Sequence, residues 1–459
     1  MPSPVSLTHG GSTLTLTGVP VTAANDLLGA SYKIYRHIET NETVVRTIGY
    51  ALPTALHGHV LSVSPTTEFA IPRVQWQTTG ESFGGEAAVP ATPKSVSGEP
   101  VAALSRRALA VTPMVMRWLY KTLTYTPIAL DKNALGIVGY KWQWPNPTDL
   151  TRFMLKYRSD GIGPTYRVQL VNDGEYDPQS PHGESNVNVQ YAEAIAFPTP
   201  VIFYSTGRGP EGSDDWFLSW LGYILNQDDN NIPRTISTSY GLPENTVSRE
   251  YAENVCDKFA QLGLRGVSVL FSSGDHGVGR GDCRTPDGSV QFVPYFPASC
   301  AWVAFFSRFK TLYWLGYAHH RHAFAGPYVT TVGGTTGRPE VAAIISGGGF
   351  SNYFPRPRYQ AQAVPTFFQG LGNRYQGLFK CVPLRDVTLS DLICNSCSAT
   401  GRGYPDIAAQ ALGCPFFLNG EEEFARGTSV SAPVRLSLPS GSTILEHPGE
   451  PPMYRSRRA

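Results

Sequence analysis

Apolar residues between positions 112 and 271 follow two alternating patterns, one typical of strands and one typical of helices. Short apolar or alternating runs predict strands at 134–140, 166–170, 201–204, 236–240 and 266–271. Apolar residues three or four positions apart predict helices between them, at 148–157, 184–197, 215–225 and 251–264. The helix at 148–157 has Thr148 or Asp149 as its predicted N-cap, and Asp214 or Asp215 begins the third helix. This alternation predicts an α/β fold, with a parallel sheet covered by helices on both faces.

The rest of the chain divides into segments before and after this region. Residues 22–75 predict a small separate piece, with strands at 32–35 and 44–48. Residues 76–111 predict a linker, whose Arg106-Arg107 pair is either a processing site or two solvated arginines. We assign 112–433 to one main domain. Residues 434–459 are polar and basic and predict a disordered tail.

Composition excludes some partners and suggests a compartment. The 37 Lys and Arg residues balance the 36 Asp and Glu residues, so neither nucleic acid nor an anionic membrane is indicated. No stretch predicts a membrane span, and residues 1–20 lack the basic start and apolar core of a signal peptide. Seven cysteines allow one or two disulfides with at least one thiol left over, which fits a secreted protein. We expect a monomer.

Three segments carry side chains suited to chemistry at the carboxyl ends of the predicted strands, where such sheets bind ligands. Asp275 follows the strand that ends at Phe271, although a turn Asp that caps the next element would explain it equally well. Glu184 and Asn188 are four residues apart and share a helix face, although Glu184 could simply favour the helix dipole. Ser429 begins a run of small residues at 427–433, where an N-cap serine is the alternative.

Ser429 is suited to nucleophilic catalysis if a helix starts there. The free N–H groups and the positive end of the helix dipole would face the serine oxygen. Such a position favours a nucleophile whose reaction develops an oxyanion. An ordinary Ser-His-Asp hydrolase is disfavoured, because no G-x-S-x-G motif surrounds Ser429 and no His lies in a suitable motif.

In this order and between these strands, the three segments resemble the sedolisin family of serine-carboxyl peptidases, and most closely its secreted tripeptidyl peptidases. The similarity runs from about Val111 to Pro433, and the segment 31–37 resembles the end of the family's propeptide. The resemblance implies a subtilisin-like fold preceded by a propeptide fragment. It also implies an acid-acting peptidase that releases tripeptides from N-termini through an acyl-enzyme, with a peptide or protein as substrate.

The resemblance also implies roles for individual residues. Ser429 would be the nucleophile, Glu184 its general base, and Asp275 the carboxyl at the oxyanion, where only the protonated form can donate a hydrogen bond. The segments 237–241 and 346–350 resemble the walls of the family's cleft, where exposed backbone can pair with an extended substrate. The substrate-binding residues expected there are Ser239, Tyr240, Gly241, Gly347 and Gly348.

One departure from the family affects the site itself, because the family's second acid falls at position 188, where this chain has Asn188. An Asn can donate an N–H to Glu184 but cannot share a proton with it or carry charge. We expect lowered activity and a changed acid limb of the pH profile.

Two segments have no counterpart in the family, 301–326 and 381–398. The first contains His319, His320 and His322, without an acid or Cys nearby to complete a metal site. The second contains one C-x-x-C, from Cys394 to Cys397, without a second pair. Neither segment predicts a metal site, and we interpret both as retained introns.

The family binds calcium through a segment beyond the serine helix. In this chain Pro439 and Gly441 stop that helix after about two turns, and the tail offers no oxygen-rich loop. We therefore expect no calcium at the family's site. The alternative to an active peptidase is a catalytically impaired or inactive relative that at most binds peptides, which Asn188 and the absent calcium segment favour.

Overall fold

A computed structural model describes most of the main domain and much of the N-terminal piece. Structure is described for residues 5–7, 13–36, 41, 43–69, 73–74, 77–78, 110–127, 130, 133–161, 163, 166–207, 215–278, 291–300, 329–372, 378 and 401–437. The two inserts at 301–326 and 381–398, with their His and Cys clusters, lie outside the described residues. So does the tail beyond residue 437.

The described residues form strands and helices that alternate through the main domain. The strands are β1 (Val5–Leu7), β2 (Leu14–Leu16), β3 (Lys33–Arg36), β4 (Thr43–Arg46), β5 (Arg73–Val74), β6 (Gln77–Thr78), β7 (Leu135–Gly139), β8 (Arg167–Val171), β9 (Val201–Thr206), β10 (Thr235–Thr238), β11 (Tyr240–Pro243), β12 (Ser268–Ser272), β13 (Tyr295–Phe296), β14 (Val329–Thr336), β15 (Val341–Ala342), β16 (Gly349–Pro355), β17 (Gly401–Tyr404), β18 (Ile407–Gln410), β19 (Leu412–Leu418) and β20 (Glu421–Arg426). The α-helices are α1 (Val21–Leu28), α2 (Pro113–Leu119), α3 (Pro147–Tyr157), α4 (Gly183–Ala196), α5 (Trp216–Leu225), α6 (Arg249–Leu264), α7 (Ala363–Leu371) and α8 (Thr428–Ser437).

The central sheet has the order β15-β14-β12-β10-β7-β9-β8, and β18 also pairs with β14. Every pairing is parallel except that of β15 with β14. The central strands β7 and β9 are buried along their whole length, whereas the edge strand β8 is partly exposed. The sequences of β7 and β9 are mostly apolar and do not alternate with polar residues, as expected for strands that are covered on both faces. The predicted parallel sheet is therefore confirmed.

Two hydrophobic cores lie on opposite faces of the sheet. On one face, α5 and α6 contribute Trp216, Trp220 and Phe259 to a core beneath β10 and β12. On the other face, α2, α3, α4 and α8 form a second core that includes Phe153 and Val187. Helices thus cover both faces, as predicted, and α4 and α8 lie on the same side.

The first turn of α3 corrects one prediction. The N-cap is Asn146, whose Oδ1 accepts hydrogen bonds from the backbone N–H groups of Thr148 and Asp149 at 2.7 and 3.0 Å, and Pro147 occupies the first helical position. Neither Thr148 nor Asp149 is the cap, because both lie inside the helix, which begins at Pro147. Asp149 is buried and accepts a 2.9 Å hydrogen bond from Asn186 of α4. The predicted cap Asp215 is confirmed for α5, where its Oδ1 accepts from the N–H of Leu218.

The predicted strand at 236–240 is also corrected, because it divides into two. β10 ends at Thr238 and β11 begins at Tyr240. β11 leaves the central sheet and pairs antiparallel with β13 and with β5. Ser239 lies at this break, close to the carboxyl end of β10.

The N-terminal piece contacts the main domain at several points. Its predicted strands are confirmed as the antiparallel pair β3 and β4. The Ser64 hydroxyl donates a 2.7 Å hydrogen bond to Asp215 Oδ2. Further along the chain, β5 pairs with β11, and β6 pairs with β20. The domain boundaries given above remain predictions.

A disulfide ties α6 to the segment after β13. It joins Cys256 to Cys300, within the range of one or two disulfides expected, and Cys414 is a buried free thiol. The other four cysteines lie outside the described residues. Among the helices of the described part of the chain, none combines the length and apolarity required to cross a membrane.

Candidate active site

Ser429 lies in the first turn of α8, as its sequence predicts. β20 ends at Arg426, and the helix begins two residues later at Thr428. Small residues at 427–433 allow α8 to pack closely against α4 and against the central strands β14 and β18. The Ser429 side chain is fully buried.

Glu184 lies beside this serine. It is the second residue of α4, whose N-cap His182 accepts from the Glu184 N–H through Nδ1 at 3.3 Å. The Ser429 hydroxyl donates a 3.0 Å hydrogen bond to Glu184 Oε2. Burial raises the pKa of Glu184 to about 8, and the nearby Asp275 adds to the rise, whereas hydrogen bonds from Asn188 and Ser429 oppose it. A serine hydroxyl next to a buried carboxyl is the arrangement of a nucleophile with its base.

Asn188 holds the other oxygen of the same carboxyl. Its Nδ2 donates to Glu184 Oε1 at 2.5 Å and to the Glu184 backbone carbonyl at 2.6 Å. Its Oδ1 accepts a 2.9 Å hydrogen bond from the hydroxyl of Ser239. The amide therefore acts as a donor at the position that the resemblance assigns to the family's second acid.

Asp275 reaches the same helix end from the loop after β12. Its Oδ1 accepts from the backbone N–H and the hydroxyl of Thr428, at 2.7 and 2.8 Å. Its Oδ2 is buried and has no hydrogen-bond partner among the residues that the structure describes. Burial raises the pKa of Asp275 to about 7. A proton on this carboxyl would therefore sit on Oδ2, where it could be donated.

The three predicted catalytic side chains and Asn188 thus lie together, and Thr428 connects them. Thr428 precedes the nucleophile in sequence and binds Asp275 through both its backbone and its side chain. We did not single out Thr428 as a site residue from the sequence. The sequence signal for Thr428 was its position directly before Ser429, at the predicted start of a helix. The first N–H groups of a helix have no partner within the helix, so they can bind a nearby acid.

The predicted substrate-binding residues of 239–241 lie along β11 and just before it. The Tyr240 hydroxyl donates to Gln143 Oε1 at 2.6 Å, and the side chain is buried. The backbone of Tyr240 and Gly241 pairs antiparallel with Val74 and Arg73 of β5. The edge that we predicted for an extended substrate therefore pairs with a segment of the chain itself.

Gly347 and Gly348 lie against the loop that carries Asp275. The Gly347 N–H donates a 2.7 Å hydrogen bond to the Gly274 carbonyl. A Cβ at Gly347 would come within 2.0 Å of the Ser273 carbonyl oxygen, so a side chain does not fit there. A Cβ at Gly348 would lie 3.2 Å from the carbonyl oxygen of Tyr404. Their role in substrate binding remains a prediction.

In the part of the chain that the structure describes, no group of three or more His, Cys, Asp or Glu side chains is placed to hold a metal ion. Calcium is also bound by backbone carbonyls, so the expectation about calcium at the family's site remains a prediction.

Comparison with known proteins gives the family. Residues 4–69 match the family described as Pro-kumamolisin, activation domain. Over 435 residues the chain is 31% identical to the probable tripeptidyl-peptidase SED2 of Arthroderma benhamiae and to the tripeptidyl-peptidase SED2 of Arthroderma otae. Each alignment covers 91% of this chain and 64% of the relative, so the chain spans less than two thirds of the relatives' length.

Among solved structures, the fold is similar to Pseudomonas sedolisin complexed with two molecules of pseudo-iodotyrostatin. The identity is 18%, the TM-score is 0.47, and the match covers 71% of this chain and 78% of that chain. The activation-domain match at the N-terminus and the similarity to curated tripeptidyl-peptidases along most of the chain lead to one conclusion. The chain belongs to the sedolisin family of serine-carboxyl peptidases.

Proposed function

We propose that this chain is a serine-type peptidase that forms an acyl-enzyme on Ser429. The observation that carries the proposal is the buried 3.0 Å hydrogen bond from the Ser429 hydroxyl to Glu184 Oε2. Its relatives in the family are named as peptidases that release tripeptides, which agrees with a nucleophilic serine.

The contacts suggest the order of proton transfers. Ser429 Oγ forms a bond to the scissile carbonyl carbon while its proton passes to Glu184 Oε2. The carbonyl oxygen becomes an oxyanion, which a protonated Asp275 stabilises by donating from Oδ2. Glu184 then gives its proton to the leaving amine, and the C–N bond breaks. Water repeats the sequence and releases Ser429.

We propose that the substrate binds as an extended strand along β11. The pairing of Arg73 and Val74 with β11 shows that this edge can hold extended backbone. The SED2 relatives are tripeptidyl-peptidases, so we propose the release of tripeptides from free N-termini. A fluorogenic peptide with a free amine and the same peptide acetylated test this directly. A tripeptidyl peptidase cleaves only the first, whereas an endopeptidase cleaves both.

The working pH follows from two requirements. Glu184 must be ionised to accept a proton, and Asp275 must be protonated to donate one. With pKa values of about 8 for Glu184 and about 7 for Asp275, the active form is most populated between these values. We propose that the chain with Asn188 works closer to neutrality than the acidic range that the family resemblance implies.

We also propose that the protein acts outside the cell and as a monomer. The disulfide between Cys256 and Cys300 supports an oxidising compartment. Size-exclusion chromatography with light scattering tests the monomer, and fractionation of the producing cells tests the location.

Labelling with a serine-directed fluorophosphonate probe tests the proposed enzyme. We expect one adduct, located by peptide mapping at Ser429, and no adduct in Ser429→Ala. Ser431→Ala is the matched control, because the Ser431 hydroxyl lies in the same helix but donates to the Ala409 carbonyl at 3.0 Å. An adduct at a different serine, or none in correctly folded protein, would contradict the proposal.

The second candidate is a non-catalytic relative that binds peptides. Asn188 favours it, because an amide cannot share a proton with Glu184 as an acid could. That protein would bind an extended peptide without reacting with the probe. Isothermal titration with an uncleaved peptide, beside the labelling, separates the two candidates.

A further inference from the structure

We infer that Ser239 is a positioning residue that acts through Asn188 and keeps Glu184 in the form of a base. The inference rests on the proposed function and deepens it at one step, the removal of the Ser429 proton. The relevant contacts form one chain of hydrogen bonds, from Ser239 to Asn188, to Glu184 and to Ser429.

The donors and acceptors in this chain permit a single orientation of the Asn188 amide. One end of the amide lies within 2.6 Å of the Glu184 backbone carbonyl, which can only accept. That end must therefore be the NH2 group, and it also reaches Glu184 Oε1. The other end is then Oδ1, an acceptor that needs a donor. The Ser239 hydroxyl supplies that donor at 2.9 Å.

Burial makes each of these bonds important. Glu184, Asn188 and Ser239 are 0%, 4% and 1% exposed, so bulk water cannot replace a lost partner easily. Without the Ser239 hydroxyl, Asn188 Oδ1 would be a buried acceptor without a donor, which costs free energy. A rotation of the amide away from its present orientation would lower that cost. The Nδ2 bond to Glu184 Oε1 would weaken as a result.

That bond matters because it favours the ionised carboxylate. Desolvation pushes Glu184 toward its neutral form, and the titratable groups Asp275 and Tyr240 lie close enough to interact with it. A negative charge on Asp275 opposes ionisation of Glu184, and Tyr240 is kept neutral by burial. Hydrogen bonds from Asn188, from Ser429 and, as the smallest of the three, from Ser239 itself act in the opposite direction. Losing the donor from Asn188 should raise the pKa of Glu184 and leave less base at a given pH.

The test compares Ser239→Ala with Ser205→Ala. Ser205 is buried near the end of β9, and its hydroxyl donates to the Glu175 backbone carbonyl. Below pH 8 we expect Ser239→Ala to lower kcat about tenfold with KM unchanged, because one buried polar contact of the base is lost. Because the pKa of Glu184 already lies above that of Asp275, a further rise lowers the maximum of the pH–rate curve and moves its alkaline limb up by about one unit, whereas the acid limb stays in place. Ser205→Ala should leave both unchanged.

A double-mutant cycle tests whether Ser239 acts through Asn188. In the Asn188→Ala background, Ser239→Ala should shift the alkaline limb clearly less than it does in the unchanged chain, because the intermediary is absent and only the weaker direct contact of Ser239 with Glu184 remains. Equal effects of the two serine variants would overturn the inference, and so would additive shifts in the cycle.

A readout without turnover separates this inference from the proposed function. The pKa of Glu184 follows from the pH dependence of unfolding, compared between each protein and its Glu184→Gln variant. We expect a higher pKa of Glu184 in Ser239→Ala than in Ser205→Ala. If no variant reacts with the probe, the proposed function fails while this titration still decides the role of Ser239. An unchanged pKa would overturn it.

Discussion

At the scale of single residues, the identity of position 188 determines how the Glu184 carboxyl can ionise. An acid there would share one proton with Glu184, and the pair would titrate in two coupled steps. Asn188 donates to Oε1 and offers no second site for a proton. Glu184 therefore carries the whole desolvation cost of its own charge, which is why its pKa rises to about 8.

Restoring an acid should extend activity to lower pH. In Asn188→Asp, the two carboxyls would hold one proton between them, and the singly charged pair would form at a lower pH than a lone ionised Glu184. We expect the acid limb of kcat/KM to move down by about one unit or more. The measurement is a pH–rate profile from pH 3 to 9. An identical acid limb in the variant would show that position 188 does not control the base.

Removing the base should abolish most of the activity without unfolding the protein. Glu184→Gln keeps the shape and a polar contact but accepts no proton, so we expect kcat to fall about 100- to 10,000-fold. Glu193→Gln is the matched control, because Glu193 is buried in the same helix, has a pKa raised to about 8 by desolvation, and has no contact with Ser429 among those described. Comparable losses in both variants would indicate a structural effect.

At the scale of elements, the periodic pattern predicted the helices and strands well. The helix predicted at 184–197 is Gly183–Ala196, and the strand predicted at 266–271 is Ser268–Ser272. Both elements are buried along nearly their whole length, and α4 is buried on all sides, polar positions included, which the period alone did not predict. Because parallel strands end at one edge, the order of the elements also predicted that Glu184, Asp275 and Ser429 would meet.

Features set by long-range contacts were not accessible from local pattern. Asp149 was predicted as a cap, yet it is buried and accepts from the N–H groups of Asn419 and Gly420. Those residues are about 270 positions away in sequence, so no local signal indicates them. The bond from the Ser239 hydroxyl to Asn188 joins residues 51 positions apart and was not predicted either, and the predicted contact of Ser239 with substrate stays a prediction. The pairing of β5 with β11 likewise depends on tertiary structure.

The pairing of β5 with β11 predicts that the intact chain reacts slowly. Residues 73–74 occupy the edge that we propose for the substrate, and β6 pairs with β20 shortly before Ser429. Val74→Pro removes a backbone donor from β5 and should weaken this pairing. We expect faster labelling of Ser429 by a probe that carries a peptide.

The control for this prediction is Val96→Pro, which places the same substitution in the predicted linker at 76–111. It should label at the rate of the unchanged chain. If Val74→Pro also labels at that rate, β5 does not limit access to the site.

At the scale of the whole molecule, buried carboxyls couple stability to pH. Burial raises the pKa of Glu184 and Glu193 to about 8 and that of Asp275 to about 7. Each raised pKa favours the protonated form in the folded state. The resulting stability is fully present below the unfolded pKa, near 4, and is lost as pH rises through the folded values of about 7 and 8.

We therefore expect the free energy of unfolding to fall between pH 4.5 and pH 8.5. Each unit of pKa difference between the folded and unfolded states contributes about 1.4 kcal/mol. Chemical denaturation across this range measures the slope. Glu193→Gln should flatten part of it while leaving the pH–rate profile unchanged, since Gln does not ionise. Stability that rises over this interval would contradict the direction of these pKa shifts.

The most direct measurement of the chemistry at Ser429 is capture of the acyl-enzyme. The protein is mixed with a tripeptide ester, quenched in acid within milliseconds to seconds, digested and mapped by mass spectrometry. We expect a tripeptidyl mass increment on the peptide that contains Ser429, which accumulates before steady state and is absent from Glu184→Gln. Turnover without any adduct at Ser429, or an adduct at another residue, would contradict a nucleophilic serine activated by Glu184.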